Sequence, residues 1–122
     1  MQLVESVYDA FRRGDIPTIV DMVAPGAVWK QSKTLPWGGD YRGSQGASEF
    51  FRKLGETMET VSFEPQANIE HGDEVFSFGT YSDRSRKTGR PGTAEWMFRW
   101  LVQGGKVVSW QSTSILLHSW QH

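Results

Sequence analysis

The chain contains no cysteine. Disulfides, thiolate metal sites and thiol nucleophiles are thereby excluded, and the composition suits a reducing cytoplasm. An excess of one charge is missing as well: 13 basic residues stand against 14 acidic ones, a formal net charge of −1. No global field draws such a chain to nucleic acid or to an anionic membrane, so neither is expected as a partner. Long apolar runs are also absent, and nothing approaches the ~20 residues a membrane span needs. The N-terminal MQLVESVYDAFRRGD mixes acids and bases with apolar residues instead of running from basic to apolar, so the reading is a soluble, unexported, cytoplasmic protein. Of the three histidines, His71 sits in a turn and His118 and His122 near the C-terminus, without metal-ligand spacing. Neither a metal nor a cofactor is expected. With no linker, repeat or low-complexity stretch, residues 1–122 read as one domain with one core.

Aromatic rings, by contrast, are plentiful: six Trp, three Tyr and seven Phe. Their positions follow the periodicity of regular elements. Val4, Val7, Tyr8 and Phe11 recur at helical spacing before Gly14. Asp15 can cap a second helix that tolerates Pro17 in its first turn, carries Ile16, Ile19, Val20 and Val23 on one side, and stops at Pro25-Gly26. An extended segment from Ala27 to Gln31 leads into a loop, Leu35 to Gly43. Ser44 then caps a third helix with a stripe of Ala47, Phe50, Phe51, Leu54 and Met58.

From about Val61 the period changes to two. Turn signals at His71-Gly72-Asp73, Thr88 to Gly92 and Gln103 to Lys106 divide the remainder into a four-stranded antiparallel meander. In its third strand Ala94, Trp96, Phe98, Trp100 and Val102 share one face, and Thr93, Glu95, Met97, Arg99 and Leu101 the other. The last strand, Lys106 to about Leu117, places Val108, Trp110, Ser112 and Ser114 together. Both registers of the strand from Val75 to Tyr81 put an aromatic inside, so its inward face stays open. Helices followed by strands mean an α+β fold, with three N-terminal helices on one face of a curved sheet. The other apolar face calls for a partner, so a homodimer is expected.

Ala10-Phe11-Arg12-Arg13-Gly14-Asp15, then Pro36-Trp37-Gly38-Gly39-x-Tyr41-Arg42-Gly43 and Glu49-Phe50-Phe51, resemble the nuclear transport factor 2-like superfamily, in its SnoaL-like and ketosteroid-isomerase-like branches. The Gly72-Asp73 turn, the Thr88-Gly89-Arg90 hairpin and Gly105-Lys106-Val107-Val108-Ser109-Trp110 extend the likeness over nearly the whole chain. The resemblance implies a cone-shaped α+β barrel, a strongly curved and mainly antiparallel sheet enclosing an apolar cavity, commonly in a dimer. It also implies a candidate chemistry, that of an isomerase, cyclase or lyase acting near a carbonyl by proton transfer. This fold hosts non-catalytic binding and dimeric adaptor modules too, so the site decides.

Carried over residue by residue, the catalytic positions of the relatives are vacant here. The isomerase tyrosine position falls on Val7, one residue from Tyr8, and the base position on Gln31 or Leu35, neither of which takes a proton. The protonated-acid position falls on Phe98. Where the cyclase branch carries an aspartate, this chain reads Trp110-Gln111-Ser112-Thr113-Ser114-Ile115, and the hydrolase arrangement finds Asp83 and Arg84 near a hairpin tip but no second inward aspartate.

The expected site is therefore a pocket of rings for a small apolar or aromatic ligand. Tyr8, Phe50, Trp96, Phe98, Trp100 and Trp110 form its walls, Trp37 lies at its mouth, and Gln31, Ser112 and Ser114 are the polar groups among the rings. Asp40 in the same loop as Trp37 is the nearest carboxylate and the candidate base, although loop aspartates most often serve turns. Glu95 and Arg99 suit an interface salt bridge or polar rim, and Arg84, Arg86, Lys87 and Arg90 a solvated hairpin tip.

Overall fold

The computed structural model describes residues 2–31 and 38–116, with side chains through residue 112. Its elements run α1 (Gln2–Arg12), α2 (Ile16–Asp21), β1 (Val23–Gln31), β2 (Gly39–Arg42), α3 (Gly43–Thr57), β3 (Met58–His71), β4 (Glu74–Ser85), β5 (Pro91–Gln103) and β6 (Lys106–Leu116). The strands make one sheet in the order β2-β1-β6-β5-β4-β3, antiparallel at every step except the parallel β1–β6 pair. The α+β architecture is as expected. The edges β2 and β3 do not pair, so the sheet is open where the resemblance implied a barrel. Register shifts in β1, β3 and the β5–β6 pair mark bulges, which bend a sheet and sharpen its twist. Among the described residues, no helix is long and apolar enough to cross a membrane.

Helix α1 buries Val4, Val7, Tyr8 and Ala10 and ends where Gly14, at φ 71°, lets the Asp15 N–H donate to the Ala10 carbonyl at 2.8 Å. Asp15 caps α2 as expected: its carboxylate accepts from the Thr18 N–H at 3.4 Å and from the Thr18 hydroxyl at 2.6 Å. The helix is shorter than its periodicity suggested. It ends at Asp21, and Val23 opens β1 by pairing with Val107, the Val107 N–H donating to the Met22 carbonyl at 2.8 Å. Pro25-Gly26 falls in the shifted register between Val23 and Val28, where the ladder asks for no proline N–H.

Two further local differences have simple causes. Part of the expected loop is the edge strand β2, which sets Tyr41 opposite Trp29. Gly43, at φ 66°, then turns the chain directly into α3, so Arg42 takes the cap position without a side-chain bond and Ser44 lies inside the first turn. Helix α3 buries Ala47, Phe50 and Leu54, while its outer face carries Arg52 bonded to Glu56 at 3.0 Å. Met58 extends the stripe in sequence but belongs to β3.

Strand β4 settles its face by what Trp96 needs. Val75 and Ser77 are buried, and Gly79 lies beneath the Trp96 indole. A Cβ on Gly79 would collide with that ring and with the Glu64 carbonyl, so the bare backbone is what admits the indole. Phe76 and Phe78 consequently face outward with Met97 and Arg99. In β6 the inward residue before the bulge is Val107, fully buried, not Val108: Val102 pairs with Val107 and Leu101 with Ser109, leaving Val108 as the extra residue.

Candidate ligand-binding site

Between the helices and the sheet lies a cavity of about 100 Å³. Its walls come from every layer. Tyr8 and Phe11 project from α1, Phe50, Phe51 and Leu54 from α3, Trp29 and Gln31 from β1, Phe63 from β3, Tyr81 from β4, and Ala94, Trp96, Phe98 and Trp100 from β5, with Trp110 and Ser112 from β6. Eight of the expected site residues are thus brought together: Tyr8, Gln31, Phe50, Trp96, Phe98, Trp100, Trp110 and Ser112. Ser114 pairs through its backbone with Trp96, but its side chain lies outside the described residues, and so does Trp37. Asp40 is not brought to the cavity. It pairs with Lys30 across β1–β2 and is exposed, on the face opposite Trp29 and Tyr41.

The rings organise into two stacks. Trp29 lies over Trp110 with centroids 4.7 Å apart, and Phe63, Trp96 and Phe98 form the other, with Phe63–Trp96 at 5.1 Å and Trp96–Phe98 at 4.1 Å. Phe98 meets Trp110 edge-on at 5.1 Å and joins them. Offset and edge-to-face contacts of this kind add about 0.5–1.5 kcal/mol per pair to burial, so the walls are held in place by one another.

One polar chain threads the rings. The Trp100 indole N–H donates to the Tyr8 hydroxyl at 2.9 Å, Tyr8 is hydrogen-bonded to Ser77, and Ser77 donates to the Asn68 side-chain carbonyl at 2.5 Å. Burial pushes the Tyr8 phenol up to about 12, with the bonds to Ser77 and Trp100 pulling the other way. Burial also raises the Tyr81 phenol; the Thr60 hydroxyl, 3.0 Å away, opposes the shift, and the nearby Asp83 charge adds to it. Both phenols therefore stay protonated at neutral pH. The indole N–H groups of Trp29, Trp96 and Trp110 are buried without a hydrogen-bond partner among the described residues.

Asp83 is the unexpected member of the interior. It follows Tyr81 by two residues on the inward face of β4, is 1% exposed, and neither carboxyl oxygen has a hydrogen-bond partner among the described residues. Burial alone raises its pKa from 3.8 to about 7. The sequence placed it only near a hairpin tip; the register sets it across from Gly92 and Thr60. Trp29 was legible and missed, since it sits two residues before Gln31 on an extended segment and must share its face. Phe63 carried no such signal, because the bulges of β3 break its alternation.

On the polar surface, Arg99 pairs with Glu74 of the neighbouring strand at 2.5 Å, and Glu95 has no part in that bridge. In the basic hairpin Arg86 is committed to the end of α3, donating from its side chain to the Gly55 carbonyl at 2.6 Å.

Helices covering one face of an open, bulged sheet around an apolar cavity define a nuclear transport factor 2-like α+β protein. Residues 4–110 match the model of the SnoaL-like domain, and the chain belongs to that family. Among solved structures it is similar to an NTF2-like protein of Burkholderia thailandensis, at 30% identity and TM-score 0.85 over 93% of this chain and 88% of that one. TerC, co-crystallised with polyporic acid, is 24% identical with TM-score 0.79 over the same 93% and 88%. A protein of Pseudomonas putida superposes with TM-score 0.80 at 14% identity, covering 91% of this chain and 87% of that one, a likeness of fold alone. A comparison with curated proteins finds no match.

Proposed function

We propose that this SnoaL-like protein binds a small apolar or aromatic molecule between its two ring stacks. The observation that carries the reading is the cavity itself, kept open at about 100 Å³ amid rings that otherwise pack in contact. Native interiors rarely leave such space, and an apolar void of ~150 Å³ is enough to hold benzene. The fit is therefore to one ring or an equally compact group, and a polycyclic ligand would require the walls to move. Titration with phenol and indole analogues, followed by tryptophan fluorescence, is expected to saturate. Ala94→Phe, which projects a ring into the cavity, is expected to weaken that binding at least tenfold; equal binding by the variant, or none by the native chain, defeats the proposal.

Binding takes precedence over catalysis for a chemical reason. No Asp, Glu, His, Lys or Arg is among the described residues lining the cavity, and both phenols there are poor acids and poorer bases. An isomerase, cyclase or lyase needs a group that exchanges a proton near neutrality, and Asp40 lies outside. Dimerisation through the outer sheet face is part of the same proposal. Phe76, Phe78, Met97 and Leu101 are half-buried there without a covering layer of helix.

A further inference from the structure

The ring cavity has a larger neighbour. A groove of about 750 Å³ adjoins it, bounded by the ends of α1 and α3 and the first half of β3. Phe11, Phe51, Leu54 and Phe63 line both spaces, so these side chains are the partition between them. Phe11 stands at the centre of that partition. Half-buried near the end of α1, it meets Phe63 edge-on at 5.1 Å and Phe51 at a tilt, 6.0 Å away.

The groove is apolar along its floor and held open. Ile16, Met58 and Val61 continue the surface that the four shared side chains begin. Val61 is 60% exposed, the residue that the β3 bulge leaves out of the ladder between Thr60 and Ser62. Gly55 lines the groove from the last turn of α3, although glycine is among the poorest helix formers. Its φ is not left-handed, and a Cβ there would meet nothing within 4 Å among the described residues, so neither backbone conformation nor packing requires glycine. What the missing side chain does is keep the groove wide. The rim carries charges of both signs, most of them already engaged. Arg12 bridges to Asp9 at 3.5 Å and Arg13 to Asp15 at 3.7 Å, the Arg86 side chain donates to the Gly55 carbonyl at 2.6 Å, and Glu59 and Glu64 stand exposed among them. The floor therefore sets the chemistry of an occupant, and it asks for hydrocarbon.

We propose that cavity and groove are two halves of one site, and that its ligand is a single ring carrying an unbranched alkyl chain. The ring seats in the cavity, and the chain passes between Phe11 and Phe63 to lie along the groove. The proposal rests on the binding reading above and narrows its ligand class. Passage requires the Phe11 side chain to turn aside, which its half-exposed position near the helix end permits. A linear chain is narrow enough for that gap, and a branched one is not. Each methylene taken from water into the groove tightens binding by up to about fourfold.

Phenol, 4-butylphenol and 4-tert-butylphenol separate the two halves. Tryptophan fluorescence titrations are expected to show 4-butylphenol bound at least tenfold more tightly than either phenol or the branched isomer, which has the same number of carbons. Gly55→Phe puts a side chain into the groove, and Val61→Asp charges its wall at a position outside the ladder. Both variants are expected to cancel the gain from the butyl chain and to leave phenol affinity within about twofold of the native value. A butyl chain that adds nothing, a branched isomer that binds as well as the linear one, or a gain that survives in either variant overturns the proposal. Loss of phenol binding in both variants overturns it too, because the groove would then not be separable from the cavity. In each of these cases saturable phenol binding by the native chain leaves the binding reading standing; if no probe binds the native chain, both fail.

Discussion

Asp83 is the residue at which sequence and structure differ most in meaning. In the sequence it is one of several charges near a turn; in the fold it is a carboxyl enclosed without a partner among the described residues. The consequence for stability has a definite sign. Its folded-state pKa is raised, from 3.8 to about 7, so between those values the folded chain keeps a proton that the unfolded chain has lost. Stability therefore falls as pH rises from about 4 to about 7 and is level above, the full effect being up to about 4 kcal/mol. Asp83→Asn keeps the shape without the ionisation. Thermal melts at pH 8 should show the variant more stable than the native chain by a few kcal/mol, with the gap closing toward pH 4. A variant less stable at pH 8 would mean that the native carboxyl has a partner it needs.

Among the elements, β4 and β5 carry the clearest reciprocal requirement. Trp96 can lie flat in the wall only because Gly79, its cross-strand partner, has no side chain. Gly79→Ala forces the indole or the strand to shift, an overpacking that costs about 1–3 kcal/mol. Denaturant melts should show that loss, and because Trp96 is part of the ring stack, ligand affinity should fall with it. A neutral effect on both would show that the stack has room to adjust. The periodicity of α1, α3 and β5 was legible because each element is one-sided and unbroken. Periodicity failed where tertiary pairing intervened: Val23 left its helical stripe to pair with Val107, and a bulge exchanged Val108 for Val107 in the core. A helical pattern and a strand pattern overlap over so few residues, and the partner strand decides between them.

At the scale of the whole molecule the open question is what covers the outer sheet. Phe76, Phe78, Met97 and Leu101 lie on it, crossed by the Arg99–Glu74 bridge. A second copy bringing the same face would bury these side chains in a self-complementary contact. Sedimentation velocity at micromolar concentration is expected to give a dimer, and Phe78→Asp to shift it to monomer. A native monomer would leave the face to some other cover.

The sequence by itself determined the α+β class, the three helices ahead of the four-stranded meander, the inward stripes and the family likeness, all of which depend on local periodicity and on turn residues. It also determined that the rings would meet, because one-sided elements have only one side to bury. Only the tertiary structure decided which rings make the wall, that Asp40 stays outside and that Asp83 goes in. Those outcomes depend on strand register, where a shift of one residue exchanges the faces, and register is set by partners far away in the chain.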